Sequence, residues 1–132
     1  MKGLYIDATA NTPLVSFNQH TGVLEINGRS VISDAENFYS PILEWLEDYA
    51  KEPAKTTSLV IDMQSFNIAS SKRILFILYK LNELKADGLD VNVEWHYNEN
   101  EDEMYEVGQD YAFMVKVPFK FVEKADLMAM QA

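Results

Sequence analysis

From Val91 to Asn98 the chain alternates without a break: Val91, Val93, Trp95 and Tyr97 are apolar, and Asn92, Glu94, His96 and Asn98 are polar. Successive side chains of a β-strand point to opposite faces, so this run predicts a strand with one face buried and the other wet. Strands covered by helices on both sides are apolar throughout. The sheet that holds this strand is therefore expected to carry its helices mainly on one face.

The rest of the chain follows the same alternation of periods. Leu4 to Asp7 is a short strand candidate, and Leu14 to Asn18 and Gly22 to Asn27 form a hairpin around the turn-rich Asn18-Gln19-His20-Thr21-Gly22. The spacing then changes to that of a helix, with Phe38, Ile42, Trp45, Leu46 and Tyr49 on one stripe, Asp34 as its cap and Pro53 beyond its end. Leu59 to Met63 reads as a strand. A second helix is predicted from about Ser71 to Ala86, with Ile74, Ile77, Leu78, Leu81 and Leu84 as its core stripe and Asp87-Gly88 as its stop. The acids Glu99 to Glu103 favour the positive end of a third helix, whose buried face is Met104, Val107, Tyr111 and Val115 and which Pro118 ends. Phe119 to Glu123 closes the series as a strand. The order β-β-β-α-β-α-β-α-β predicts a two-layer α/β (α+β) domain with a mixed sheet, residues 1–124, followed by a tail, 125–132.

Composition narrows the functional classes. With 132 residues, 48% of them hydrophobic, the chain is sized for one packed domain. Eleven Lys and Arg against 21 Asp and Glu leave a net charge of −10, which repels phosphate backbones and anionic lipid, so neither nucleic acid nor a membrane is an expected partner. The chain has no Cys, which excludes disulfides, thiol catalysis and Cys-ligated zinc. No apolar leader precedes the first strand, and a soluble, cytoplasmic protein is expected.

Resources for catalysis are thin. His20 falls in the hairpin turn, and His96 shares a strand face with Glu94 near the acids that follow Asn98. Glu94 and His96, with the acids that follow Asn98, are reasonable ligands for a divalent cation, but a polar sheet face beside an acidic helix start is the plainer explanation. No nucleophile elbow, P-loop or dinucleotide fingerprint is present. No cofactor, no metal and no enzymatic activity are expected; a metal- or ligand-binding protein using Glu94 and His96 is the alternative, and a homodimer joined across the polar sheet face is a third reading.

The stretch Ser65-Phe66-Asn67-Ile68-Ala69-Ser70-Ser71-Lys72 joins a strand to the second helix. Small residues and hydroxyls there leave backbone N–H groups facing outward at the positive end of a helix, a place that accepts an anion or a phosphorylated side chain. Capping of the helix by Ser70 or Ser71 is the plainer explanation.

The chain resembles the SiaC family of bacterial regulatory phosphoproteins, whose fold is similar to the STAS domains of anti-sigma-factor antagonists. The resemblance runs from Leu4 to about Glu123. It rests on Ala8-Thr9 with Thr12-Pro13, Gly22-Val23-Leu24, Gly28-Arg29-Ser30, Glu44-Trp45-Leu46-Glu47, Phe66-Asn67 followed by Ser70-Ser71-Lys72, Val93-Glu94-Trp95-His96-Tyr97, and Pro118-Phe119, in that order. It implies a partner switch: a kinase phosphorylates a Thr at the strand-to-helix junction, a PPM-type phosphatase removes the phosphate, and the unmodified form activates an effector such as a diguanylate cyclase. The position matching that Thr is Ile68, which has no hydroxyl. Either Ser70 or Ser71 takes the phosphate instead, or the chain is not switched and stays in its binding form; the second reading is favoured because Ile resembles unmodified Thr in shape.

Ile74 to Tyr79 is apolar around most of the helix circumference, and Leu75, Phe76 and Tyr79 lie off the core stripe. Part of this surface is expected to meet another helix and part to face a partner. The expected docking surface is thus Asn67, Ile68, Ala69, Ser70, Ser71 and Lys72 with Leu75, Phe76 and Tyr79, and a negative charge at Ser70 is expected to weaken docking.

Overall fold

The computed structural model describes residues 2–125. Its elements in chain order are β1 (Leu4–Ile6), β2 (Leu14–Phe17), β3 (Val23–Ser30), α1 (Ala35–Tyr49), β4 (Thr56–Phe66), α2 (Ile68–Ala86), β5 (Asp90–Asn98), α3 (Asp102–Met114) and β6 (Phe119–Lys124). The sheet order follows the chain, β1-β2-β3-β4-β5-β6. The first two pairings are antiparallel and the last three parallel.

This order decides where the helices go. Each of α1, α2 and α3 connects a strand to its parallel neighbour, and every step moves the same way across the sheet. Right-handed crossovers in one direction place all three helices on one face. Burial follows: Leu59, Ile61 and Met63 of β4 and Val91, Val93 and Trp95 of β5 are buried beneath the helices, while Val60, Asp62, Asn92, Glu94 and His96 between them are only half-buried on the open side. The expected two-layer mixed α/β sheet is borne out.

Long-range packing moves several boundaries. β3 continues past Asn27 to Ser30, because Gly28 adopts φ +126° and a register shift between Gly28 and Arg29 absorbs the turn-like sequence into a bulge. β4 runs from Thr56 to Phe66 rather than from Leu59 to Met63, since it pairs along both edges with β3 and β5. In the hairpin, Asn18 Oδ1 accepts from the backbone N–H of His20 and Thr21, at 2.9 and 3.0 Å, as the turn chemistry requires. The tail, 125–132, lies outside the described residues from 126 onward.

α3 differs in detail. It begins at Asp102, and Val115 is buried just beyond its end. Tyr111 is buried as expected, Met104 and Val107 are half-buried, and Gly108 is buried against the sheet. A Cβ at Gly108 would stand 2.6 Å from Cδ1 and Nε1 of Trp95, so only glycine lets the helix sit this near the ring. Trp95 Nε1 donates to Met104 O at 2.9 Å, which holds the ring against the helix.

Candidate functional site

The second helix starts three residues earlier than its apolar period indicates, and its cap is Asn67 rather than Ser70 or Ser71. Asn67 Oδ1 accepts from Ser70 N at 3.0 Å, and Asn67 Nδ2 donates to Ile32 O at 2.9 Å. Its backbone N–H also donates to Ser30 O at 3.0 Å. One side chain therefore satisfies a free N–H of the helix start while fastening that start to the end of β3 and the segment after it.

Ser70 is turned inward. It is fully buried, and Ser30 Oγ donates to Ser70 Oγ at 2.7 Å and lies 2.7 Å from the Tyr39 hydroxyl. Burial pushes the Tyr39 phenol up to about 12, against a smaller lowering by the Ser30 hydrogen bond. This three-hydroxyl chain ties β3, α1 and α2 together in neutral form. Ser71 Oγ donates to Ile68 O at 2.7 Å, and the Tyr111 hydroxyl of α3 donates to Ser71 O at 2.9 Å. Burial raises the Tyr111 phenol as well.

The outward face of α2 has the opposite character. Ile68, Lys72, Leu75 and Tyr79 follow one another at helical spacing on a single stripe. Ile68 is 89% exposed, a high value for a β-branched apolar side chain, and Tyr79 is 44% exposed. Ala69 and Lys72 are exposed, Leu75 and Phe76 half-buried. Lys72 Nζ and the Arg73 guanidinium lie 5.9 and 5.3 Å from the centre of the Phe76 ring, and Arg73 pairs with Glu36 of α1 at 3.6 Å. Lys80 pairs with Glu47 of α1 and Glu83 of its own helix. The apolar excess of Ile74 to Tyr79 is thus divided: one side meets α1, and Leu75 and Tyr79 continue the stripe begun by Ile68. Of the residues expected at the surface, Ser70 is absent from it; its hydroxyl is needed inside to pair with Ser30.

Hollows surround this turn. A groove of about 350 Å³ between α2 and α3 is lined by Phe66, Ile68, Ser71, Val107, Asp110 and Met114 among others. A larger one of about 580 Å³ lies beyond it, with Gln64, Ser65, Glu103 and Met104, and shares Phe66 and Val107 with the first. A third, about 240 Å³, separates Ala69, Lys72 and Arg73 from the start of α1. Two of the most exposed apolar side chains close α3 and were not part of the expected surface: Met114, 54% exposed, which lines the first groove, and its chain neighbour Phe113, 93% exposed. For Phe113 the signal was present in the sequence, because it falls on the side of the helix opposite the stripe of Met104, Val107 and Tyr111; Met114, seven residues after Val107, continues that stripe to the end of α3, where it is left exposed.

Glu94 and His96 do share the open sheet face, with Nε2 and Oε1 3.8 Å apart. Next to them Lys124 of β6 pairs with Asp62 of β4, and Asn98 Nδ2 donates to Glu101 Oε1 at 3.1 Å. Among the described residues no three His or acidic side chains converge to hold a metal ion. A stripe of strand carboxylates dispersed among Lys side chains accounts for this face. What the junction can do is present an apolar surface on a rigid frame.

Comparison with known proteins agrees with this architecture. Residues 6–124 match the model of the SiaC family regulatory phosphoprotein. The chain belongs to the SiaC family. A relative in Pseudomonas aeruginosa strain UCBPP-PA14, described only as an uncharacterized protein, is 24% identical over 119 residues, covering 90% of this chain and 94% of its own. Apo-SiaC from P. aeruginosa superposes with a TM-score of 0.85 at 23% identity, over 92% of this chain and 99% of that one. SiaC in the complex of the diguanylate cyclase SiaD with its activator SiaC superposes at 0.87 and 22% identity, with the same coverage. The mixed sheet with three helices on one face is the fold of SiaC. No helix among the described residues is long and apolar enough to cross a membrane.

Proposed function

We propose that this SiaC-family chain is a non-enzymatic activator that docks on a diguanylate cyclase through the first turn of α2. Ile68 carries the reading: it is 89% exposed on a turn held by the Asn67 bonds, and resemblance to the family sets it where the phosphorylated Thr is found. Desolvating an apolar side chain already fixed in place favours association, at about 25 cal/mol per Å² of apolar area removed from water. The protein acts in the cytoplasm as one unit, residues 1–124.

The same residue leaves the switch without its usual acceptor. Ile68 carries no hydroxyl. Ser70 is sealed in a hydroxyl chain, and a phosphate there would have to be accommodated in a fully buried position held by neutral hydroxyls. Ser71 is bonded to Ile68 O and lines a groove with Asp110, whose charge repels a second anion. The chain accordingly stays in the unmodified, cyclase-binding form, and neither a kinase nor a PPM-type phosphatase acts on this turn.

The test measures cyclic di-GMP formation by the purified diguanylate cyclases of the source organism with and without this chain. One of them is stimulated, and pre-incubation with the family's kinase and ATP leaves both the stimulation and the intact mass of this chain unchanged. Absence of stimulation overturns the docking reading. A stoichiometric phosphate mapped to Ser70 or Ser71 overturns the unswitched one.

A further inference from the structure

α3 is the second wall of the groove, and its chemistry specifies what an occupant must carry. Its helical segment, Asp102–Met114, contains Asp102, Glu103, Glu106 and Asp110 and no basic residue. Glu103 and Asp110 line the two connected hollows, and Asp102, Glu103, Glu106 and Asp110 are exposed. None of the four is in an ion pair among the described residues, whereas on the α1 side of α2 Arg73 pairs with Glu36 and Lys80 with Glu47 and Glu83. At the end of the same helix Phe113 and Met114 stand 93% and 54% exposed. A groove lined by Phe66, Ile68 and Val107 therefore has an unneutralised acidic rim on one bank and an apolar anchor at its end.

Building on the docking reading above, we infer that α3 forms the second half of the interface and that its occupant is a protein segment with an apolar ridge, flanked by Lys or Arg on the side facing Glu103, Glu106 and Asp110. Charge complementarity selects this occupant. A second copy of the chain brings a net charge of −10 and another acidic α3 against the first. The chain's own last residues, 126–132, contain one Asp and no basic residue. A cationic partner segment gains from the rim in both rate and specificity, since opposite potentials accelerate encounter and reject like-charged competitors.

The experiment uses the full chain and a pair of labelled synthetic peptides, one an apolar-ridged helix flanked by Lys, the other its Lys→Glu twin, followed by fluorescence anisotropy at low and physiological ionic strength. The cationic peptide binds at least about tenfold tighter than its twin, and added salt narrows the gap. The triple variant Glu103→Gln, Glu106→Gln, Asp110→Asn loses most of that preference. A control triple on other exposed surfaces, Glu44→Gln, Glu52→Gln, Glu123→Gln, retains it, and Phe113→Ala weakens both peptides. Equal binding of the twins, no binding, or loss of the preference in the control triple overturns the inference. So does sedimentation showing that the chain alone self-associates through Phe113. The same acidic-rim variant in the cyclase assay separates the two readings: stimulation abolished by Ile68→Glu but untouched by the rim triple leaves the docking turn standing and removes α3 from the interface.

Discussion

Ser30 Oγ donates to Ser70 Oγ at 2.7 Å across a separation of 40 residues, and this hydrogen bond fixes the docking turn to the sheet. Ser30→Ala leaves the buried hydroxyls of Ser70 and Tyr39 without it, at an expected cost of about 1–3 kcal/mol. The measurement is urea unfolding, with a lower midpoint at unchanged m. Ser70→Asp puts a charge in the same place and lowers stability further, so weakened docking by that variant reports a damaged turn, not a side chain that itself touches the partner. An unaltered midpoint in Ser30→Ala would show that the hydroxyl chain holds nothing.

Ile68→Asp separates stability from binding. The residue is the first of α2, where a carboxylate interacts favourably with the helix dipole, worth about 0.3–1 kcal/mol. Its side chain is nearly all in solvent, so the core is untouched by the change. Thermal unfolding is expected to stay level or rise slightly, while cyclase stimulation collapses. A variant that docks normally removes Ile68 from the surface.

Gly108→Ala sets two effects against each other. Helix propensity favours Ala over Gly by about 0.8–1.0 kcal/mol. Against that, the new methyl would sit 2.6 Å from Trp95 Nε1 and 2.8 Å from Phe121 Cε1, and forcing extra volume into a packed seam costs about 1–3 kcal/mol. The indole has little freedom to retreat because it is bonded to Met104 O. Net destabilisation is expected, together with a change in Trp fluorescence; a more stable variant would show that α3 can lift off at no cost.

Alkaline pH should loosen the hydroxyl chain. Tyr39 is raised to about 12 from the ordinary value of 10.0, and Tyr111 is raised too. A phenol whose folded pKa is raised contributes stability that is fully present below about pH 10 and is lost as pH climbs through the folded value, because the unfolded chain releases its proton first. For Tyr39 this amounts to about 2–3 kcal/mol across the window, at 1.36 kcal/mol per unit. Urea midpoints at ~pH 9 and ~pH 11 test it, with Tyr39→Phe showing a shallower fall. Parallel behaviour of the two proteins would dissociate Tyr39 from the alkaline loss.

Much of the architecture was readable in the chain. The alternation through Val91–Tyr97 predicted a sheet open on one face, and the stripes of α1 and α2 and the Asp34 cap appear as expected, with Asp34 Oδ1 accepting from Asn37 N at 3.2 Å. Strand ends were less legible: Gly28 looks like a turn residue until pairing with β4 carries β3 through it. At the site, Ile68, Leu75 and Tyr79 were recognisable as apolar residues beyond the needs of the core. Ser70 was not recognisable as buried, since Asn67, Ser70 and Ser71 can all cap a helix locally, and Ile32 O and Ser30 Oγ, contributed by distant segments, select Asn67 for the role.

Periodicity and charge are properties of neighbouring residues, which is why the chain alone determined the layer arrangement, the acidic surface and the missing hydroxyl at residue 68. Which side chains at the turn face solvent depended on partners 35 to 40 positions away, among them Ile32 for Asn67, Ser30 for Ser70 and Tyr111 for Ser71. Burial is a property of packed elements: it turned one serine inward, left Ile68 and Phe113 outside, and set the acids of α3 along the same groove.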